Sequence, residues 1–382
     1  MDKVEMISKR NILVLNSGSS SIKCCLYDFA HFSGRLIEPV WQAKIEWKNV
    51  RENDAASLEK ELRSLLGEKT VDCIGHRIVH GGNKYTKSVK IDADVKKEIR
   101  SLSEIAPLHN LAELEAVEVL EKLFPKTPQI AVFDTAFHHT LPPSASIYPG
   151  PYEWTQMGIH RFGFHGTSFQ YCSKRAAELL EEMPDKMVVC HLGSGASLCA
   201  IQNGKSIDTT MGFTPLDGLM MDTRSGAVDP GILLYLLEKR KRSVEELSIE
   251  LYEKSGLLGL SGISSDMRDI LEQASLGNAR AQLAIDVYLH RLLSMIGSMV
   301  ASLGGLDTLI FTAGIGENAP EIREHVCDRL SFLGVELQSQ NQPNAKKDRI
   351  LSSAHSKVKV LLIHTQEAYE IARECWEKWM HH

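Results

Sequence analysis

Two small-residue turns carry the residue types that could hold a polyphosphate. The first is Asn16-Ser17-Gly18-Ser19-Ser20-Ser21-Ile22-Lys23, entered from the apolar run Asn11-Ile12-Leu13-Val14-Leu15. The second is Gly193-Ser194-Gly195-Ala196-Ser197, entered from Met187-Val188-Val189-Cys190-His191-Leu192 and left through Leu198-Cys199-Ala200-Ile201. Aligning Ser17-Gly18 with Ser194-Gly195 gives strand, tight turn and strand in the same order twice. Turns of Gly and Ser concentrate bare backbone N–H groups and hydroxyls, which suits an anion. One copy alone reads equally as an ordinary hairpin. Two copies suggest a duplicated domain that grips a polyphosphate from both halves.

Other segments place charge near strand ends, where α/β proteins put their ligands. Arg77 closes the strand in Gly75-His76-Arg77-Ile78-Val79-His80-Gly81-Gly82, and Arg224 sits in Thr223-Arg224-Ser225-Gly226 ahead of a helix. An arginine fork matches a carboxylate or a phosphoryl group, although either arginine could simply pair with a buried Asp. His165, in Phe164-His165-Gly166-Thr167-Ser168, reads as an imidazole just before a Thr/Ser-capped helix start. Such a ring could hydrogen-bond developing charge. Asp134 ends the strand Gln129–Phe133, and Glu367 opens the last helix. The run Phe311-Thr312-Ala313-Gly314-Ile315-Gly316-Glu317-Asn318-Ala319-Pro320 reads as strand, glycine-rich turn, Asn cap and a proline-initiated helix.

The elements that position these groups alternate between strand and helix, which predicts α/β architecture with two similar lobes. Strands are expected at 11–15, 22–27, 40–47, 73–79, 129–133, 187–192, 198–201, 308–312 and 358–363. Helices are expected at 55–66, 93–102, 111–123, near 230–254, near 279–303 and at 367–379. Four prolines between Leu141 and Pro151 mark the best candidate for an interdomain crossing. The chain thus divides into residues 1–140 and 141–366, with the closing helix 367–382 packing on the first lobe. The 382 residues are long enough for two cores, and a net charge of −6 argues against a broad nucleic-acid surface. Eight cysteines without a CxxC pair suggest reduced, buried thiols in the cytoplasm. The polar start from Met1 to Arg10 gives no secretory signal. The apolar stretch Leu292–Leu306 reads as too short to span a bilayer, so no membrane partner is expected.

Together these segments resemble the acetate kinase family, carboxylate kinases of the actin-like ATPase (ribonuclease H-like) superfamily. The resemblance rests on the first turn, Gly75 to Gly82, Pro107-Leu108-His109-Asn110 and Val132-Phe133-Asp134-Thr135-Ala136-Phe137-His138. It continues through Gly163-Phe164-His165-Gly166-Thr167-Ser168, Asp222-Thr223-Arg224-Ser225-Gly226 and Gly314 to Asn318, all in the family's order. It implies two lobes around a nucleotide cleft and the reversible reaction of ATP with acetate to ADP and acetyl phosphate. It also implies a homodimer and a bound Mg²⁺, or Mn²⁺ in its place.

The resemblance implies a role for each matched residue. Asn16 and Glu367 would hold the metal. Lys23 and the stretch His191, Leu192, Gly193, Ser194 and Gly195 would grip the nucleotide phosphates. Asp266, Met267 and Arg268, with Gly314, Ile315, Gly316, Glu317 and Asn318, would bind the adenosine side. Arg77 would hold the substrate carboxylate, in a small apolar pocket of Val79, Leu108, Phe164 and Pro215. Arg224 and His165 would stabilise the phosphoryl group in flight, and Asp134 would be the catalytic acidic residue. A small carboxylic acid is ionised at neutral pH and needs no general base. Asp134 is therefore read as orienting an arginine or a metal-bound water. Ser194, Asp222, Ala227 and Phe169 depart from the family pattern, and Asp222 could pair with Arg224. Propionate or butyrate as acceptor, or a nucleotide-binding protein without catalysis on the same fold, are the rival readings.

Overall fold

The computed structural model describes residues 11–17, 21–30, 32–46, 55–104, 110–338 and 347–380. They form two compact units. The described residues of the first fall within Met1–His139, Gly166–Ser168 and Gln366–His382; those of the second fall within Thr140–His165 and Phe169–Thr365.

In the first unit, β1 (Asn11–Ser17) pairs antiparallel with β2 (Ser21–Asp28), which pairs antiparallel with β3 (Trp41–Glu46). β4 (Cys73–Ile78), β5 (Val89–Lys90) and β6 (Gln129–Phe133) complete a sheet of order β3-β2-β1-β4-β6-β5. Strands β1, β4 and β6 are parallel, and β5 is an antiparallel edge. The unbroken apolar run of β1 follows from burial of both its faces. Leu13 and Leu15 pack in one cluster with Leu58, Leu62 and Leu66 of helix Ala55–Leu66 and with Ala116 and Leu120 of helix Asn110–Leu123. The opposite face is covered by helix Glu367–Met380, whose Tyr369 meets Tyr27 and whose Trp376 stacks near Phe29.

The second unit repeats that order. β7 (Lys186–Leu192), β8 (Ala196–Gln202) and β9 (Lys205–Thr209) form the antiparallel ribbon. With β10 (Thr308–Thr312), β11 (Arg349–Ile350) and β12 (Lys359–Leu362) the sheet runs β11-β12-β10-β7-β8-β9. Here too three strands, β7 of the ribbon with β10 and β12, are parallel, and an antiparallel edge, β11, closes the sheet. The duplication read from two turns extends to the whole topology.

Two expectations change. Residues 141–151 lie wholly inside the second unit, and the chain leaves the first unit at His139. Their prolines begin the short helices Pro143–Ser146 and Tyr152–Gln156, where a missing N–H costs nothing. The helix holding Leu292–Leu303 begins at Ala279, capped by the Asn278 side chain, and ends at left-handed Gly304. By length and composition it could cross a membrane. It instead packs on β7, β8 and β9 with Ile285, Leu292, Ile296 and Met299 buried, as the core helix of its unit.

Gly75 shows how tightly the first unit is packed. A Cβ there would lie 2.5 Å from Cys375 Sγ and 2.9 Å from Ile371 Cγ2. Gly75→Ala is expected to lower stability by about 1–3 kcal/mol, the usual cost of overpacking. Combining it with Cys375→Ala should recover part of that loss in thermal unfolding. Additive losses would show that the contact is not the cause.

Candidate active site

In the first unit the parallel strands end on a charged cluster built around Arg77. Register sets Arg77 opposite Val132 and Ile78 opposite Phe133, so Asp134 emerges beside the end of β4. Asp134 Oδ2 accepts from Arg77 Nε at 3.0 Å and from Nη2 at 2.5 Å. Arg77 Nη1 donates to the Ser17 carbonyl at 2.7 Å, and Thr167 donates to Asp134 Oδ1 at 2.9 Å. Burial alone would depress the arginine pKa, but the Asp134 and Glu367 charges outweigh it and the net shift is upward. Both oxygens of Asp134 are thus engaged in holding groups in place. A Cβ on Gly166 would collide with the Asp134 carbonyl, so only glycine lets the chain pass here.

Asn16 and Lys23 are cross-strand partners in β1 and β2, which places their side chains on one face. Asn16 Nδ2 donates to Glu367 Oε2 at 2.9 Å. An amide oxygen and one carboxylate are the sparse, hard donor set that suits Mg²⁺ when phosphates and waters complete its shell. Among the described residues no group of three or more His, Cys, Asp or Glu offers a rival metal site. Val79, just past β4, is buried, and its N–H donates to Glu113 Oε2 at 3.0 Å. Leu108 lies outside the described residues.

In the second unit the β7–β8 turn is the centre. A Cβ on Gly195 would lie 3.3 Å from His165 Nε2 and 3.5 Å from Arg224 Nη1, so glycine lets an imidazole and a guanidinium approach the turn. Arg224 Nη1 also donates to the carbonyl of buried Pro215 at 3.1 Å. His165 has φ of 57°, in the left-handed region, at the N-cap of helix Gly166–Leu180. Such strain in a non-glycine residue collects at functional sites. The expected Thr/Ser cap is absent because the Thr167 hydroxyl is turned to Asp134. The His165 ring contacts Ser197 Oγ through Nδ1 at 2.9 Å and stacks on His191 with centroids 4.1 Å apart. Buried Phe164 immediately precedes it.

Asp222 takes a hydrogen bond from Ser194, and its N–H donates to the Ser194 carbonyl at 3.4 Å. Two departures from the family pattern therefore meet in one contact. Burial raises the Asp222 pKa, the Ser194 bond opposes the rise and Asp266 adds to it. Asp266 caps helix Met267–Ser275 by accepting from Arg268 N, and it pairs with the Arg268 guanidinium at 2.6 Å. Met267 is buried, so its side chain belongs to the core.

The glycine-rich run after β10 is one helical stretch, Ala313–Asn318, rather than a turn with an Asn cap. Asn318 Nδ2 donates back to the Gly314 carbonyl at 2.8 Å, closing that stretch, and Pro320 then opens helix Pro320–Arg329. Glu317 Oε1 accepts from the Ala313 and Thr365 N–H groups at 2.9 and 3.1 Å. A Cβ on Gly316 would lie 3.6 Å from the Cys190 carbonyl and 3.7 Å from Leu192 Cβ, which puts this stretch beside the end of β7.

Within the first unit the structure gathers Arg77 and Asp134 at one strand end, and Asn16 with Glu367 nearby. Within the second it gathers His165, His191, Gly193, Ser194, Gly195, Pro215 and Arg224. The sequence reading missed Glu113. Its signal was a carboxylate on the face of helix Asn110–Leu123 that otherwise carries Leu114, Val117 and Leu120.

The comparisons with known proteins agree over nearly the whole chain. The model of the acetokinase family matches residues 11–373. The acetate kinase of Nostoc punctiforme is 49% identical over 399 residues, covering 96% of this chain and 98% of that protein. The crystal structure of Porphyromonas gingivalis acetate kinase has a TM-score of 0.86 at 37% identity, covering 97% of this chain and 100% of its own. A propionate kinase from Francisella tularensis gives a TM-score of 0.87 at 37% identity, covering 96% and 99%. A likeness this extensive places the chain in the acetokinase family.

Proposed function

We propose that this chain transfers the terminal phosphoryl group of ATP to acetate, giving ADP and acetyl phosphate, and runs the reverse reaction. The observation that carries the reading is the approach of Arg224 and His165 to Gly195 in a phosphate-type turn. A carboxylate oxygen attacks the terminal phosphorus while the bond to the bridging oxygen of ADP breaks. The acid is already ionised and ADP leaves as an anion, so no proton moves. The barrier is repulsion between two anions, and aligned positive charge lowers it.

On this reading Arg77, held by Asp134 and the Ser17 carbonyl, receives the acetate carboxylate. The resemblance implies that Val79, Leu108, Phe164 and Pro215 would enclose its methyl group. Arg224 and His165 stabilise charge on the transferred phosphoryl. Lys23 and the backbone of His191 to Gly195 hold the nucleotide phosphates, and Gly314 to Asn318 with Asp266 and Arg268 flank the adenosine. Asn16 and Glu367 would hold Mg²⁺, which supplies charge neutralisation on the phosphates. Eight buried, unlinked cysteines fit a cytoplasmic setting.

Propionate as acceptor is the second reading, favoured by the similarity to the Francisella propionate kinase. One methylene is worth only about 1–3 kcal/mol of discrimination. A homodimer is also proposed. Helix Pro230–Lys239 has no buried residue, yet Ile232, Leu234 and Tyr235 are 50%, 60% and 48% exposed. An apolar stripe of this kind on a surface helix suits a second copy of the chain.

Acyl phosphate trapped with hydroxylamine should form from ATP, Mg²⁺ and acetate, with propionate slower and butyrate slowest. Inertness of all three acids in protein that binds ATP would overturn the reading. Arg77→Ala and Arg224→Ala should each reduce turnover by about 10²–10³, the loss expected for a well-placed electrostatic contact. Near-native turnover in either variant, with thermal unfolding measured alongside, would remove that residue from the mechanism. Sedimentation should show a dimer that Leu234→Asp converts to monomer; a monomeric native protein would refute the dimer.

A further inference from the structure

We infer that Glu113 is a positioning residue for the carboxylate substrate, acting through Val79 and Arg77. The inference rests on the carboxylate-kinase reading above. Glu113 lies in the first turn of helix Asn110–Leu123 and is 2% exposed. Its Oε2 accepts the Val79 N–H at 3.0 Å, and its Oε1 has no hydrogen-bond partner among the described residues. Val79 lies one residue beyond β4, where the pairing of β4 with β6 has ended at Ile78. Glu113 therefore supplies the acceptor for a buried N–H two residues from Arg77. Without an acceptor that buried N–H would be left unsatisfied at a cost in stability.

The surroundings decide the charge state of this carboxyl. Helices Ala55–Leu66 and Ala93–Ser101 pack on its helix through Leu58, Leu62, Val95 and Ile99, all apolar. The charged groups acting on it are Arg77 from β4 and Asp134 beyond β6; His80, on the turn after β4, is the nearby titratable ring. Arg77 is already bound through two nitrogens to Asp134. Burial pushes the Glu113 pKa up to about 8; Arg77 and the Val79 bond oppose the rise, and Asp134 adds to it. With Glu113 neutral, Arg77 faces the carboxylates of Asp134 and Glu367 alone. When Glu113 ionises, a third carboxylate enters the field of Arg77 and opposes an incoming anion. Acetate itself is fully ionised across this range, so the dependence belongs to the protein.

The test is the KM for acetate between pH 6.5 and 9.5 in the native protein, Glu113→Gln and Glu113→Ala, with the KM for ATP as internal comparison. Glutamine keeps a carbonyl for Val79 and carries no charge. In the native protein the acetate KM should rise severalfold as the pH passes about 8 and Glu113 ionises. The Gln variant should stay level, and the ATP KM should not follow the rise. In Glu113→Ala the acetate KM should be raised at every pH, more than kcat is lowered. A native profile identical to that of the Gln variant would overturn the inference while leaving the kinase reading intact. Absence of acyl phosphate with every acid at every pH would overturn both.

Thermal unfolding gives a readout independent of turnover. A carboxyl whose pKa is raised on folding stabilises fully below its unfolded value, and that stability is lost as pH rises through the folded value. The Gln variant should therefore gain on the native protein between about pH 4.5 and about 8, then level off. A constant difference across that window would show that Glu113 is ionised throughout and would refute the inference.

Discussion

The buried pair of Arg77 and Asp134 is the constraint on which the first unit depends. Two charges taken out of water are tolerated only when their geometry and remaining hydrogen bonds are satisfied. Here Asp134 receives two nitrogens of the arginine and the Thr167 hydroxyl, while the third arginine nitrogen reaches the Ser17 carbonyl. The Gly166 N–H donates to the Asp134 carbonyl at 2.9 Å. The ends of β1, β4 and β6 and the short excursion Gly166–Ser168 are thereby tied to one guanidinium. A position so determined can serve an anion without rearrangement.

The second unit meets a different demand by close approach instead of charge pairing. Gly195 leaves space that His165 and Arg224 occupy, and the left-handed backbone of His165 aims its ring into that space. Ser197 and His191 then fix the ring from two sides. Beside them the Ser194 hydroxyl donates to Asp222, so the same turn also meets a carboxylate.

Much of this was legible in the sequence because the signals were local. The helix Ala55–Leu66 and the strand Gln129–Phe133 have the boundaries their apolar patterns require. The two Gly/Ser turns led to the duplication, since register in a hairpin follows from its turn. What escaped depended on distant partners. Thr167 looks like a helix cap until Asp134, far away in the chain, claims its hydroxyl. Asn318 looks like a cap until the glycine run before it coils and offers a carbonyl. Glu113 looks like a surface charge until the Val79 N–H at the end of a distant strand claims it, and no pattern short of its apolar companions distinguishes it. Prolines 142 and 143 resemble a linker because the same residue opens helices and interrupts them.

The C-terminal helix has a consequence for how the chain is assembled in time. Glu367–Met380 covers one face of the sheet that begins at Asn11, packing on β1, β4 and β6. The described strands of the second unit all lie between Lys186 and Leu362. As the protein emerges from the ribosome, the second sheet has its full set of strands before this helix exists. The first sheet waits, with Val14, Cys25 and Tyr27 uncovered, until residues 367–380 are added. Synthesis and completion run in opposite order, and the half of the protein made first is the half finished last.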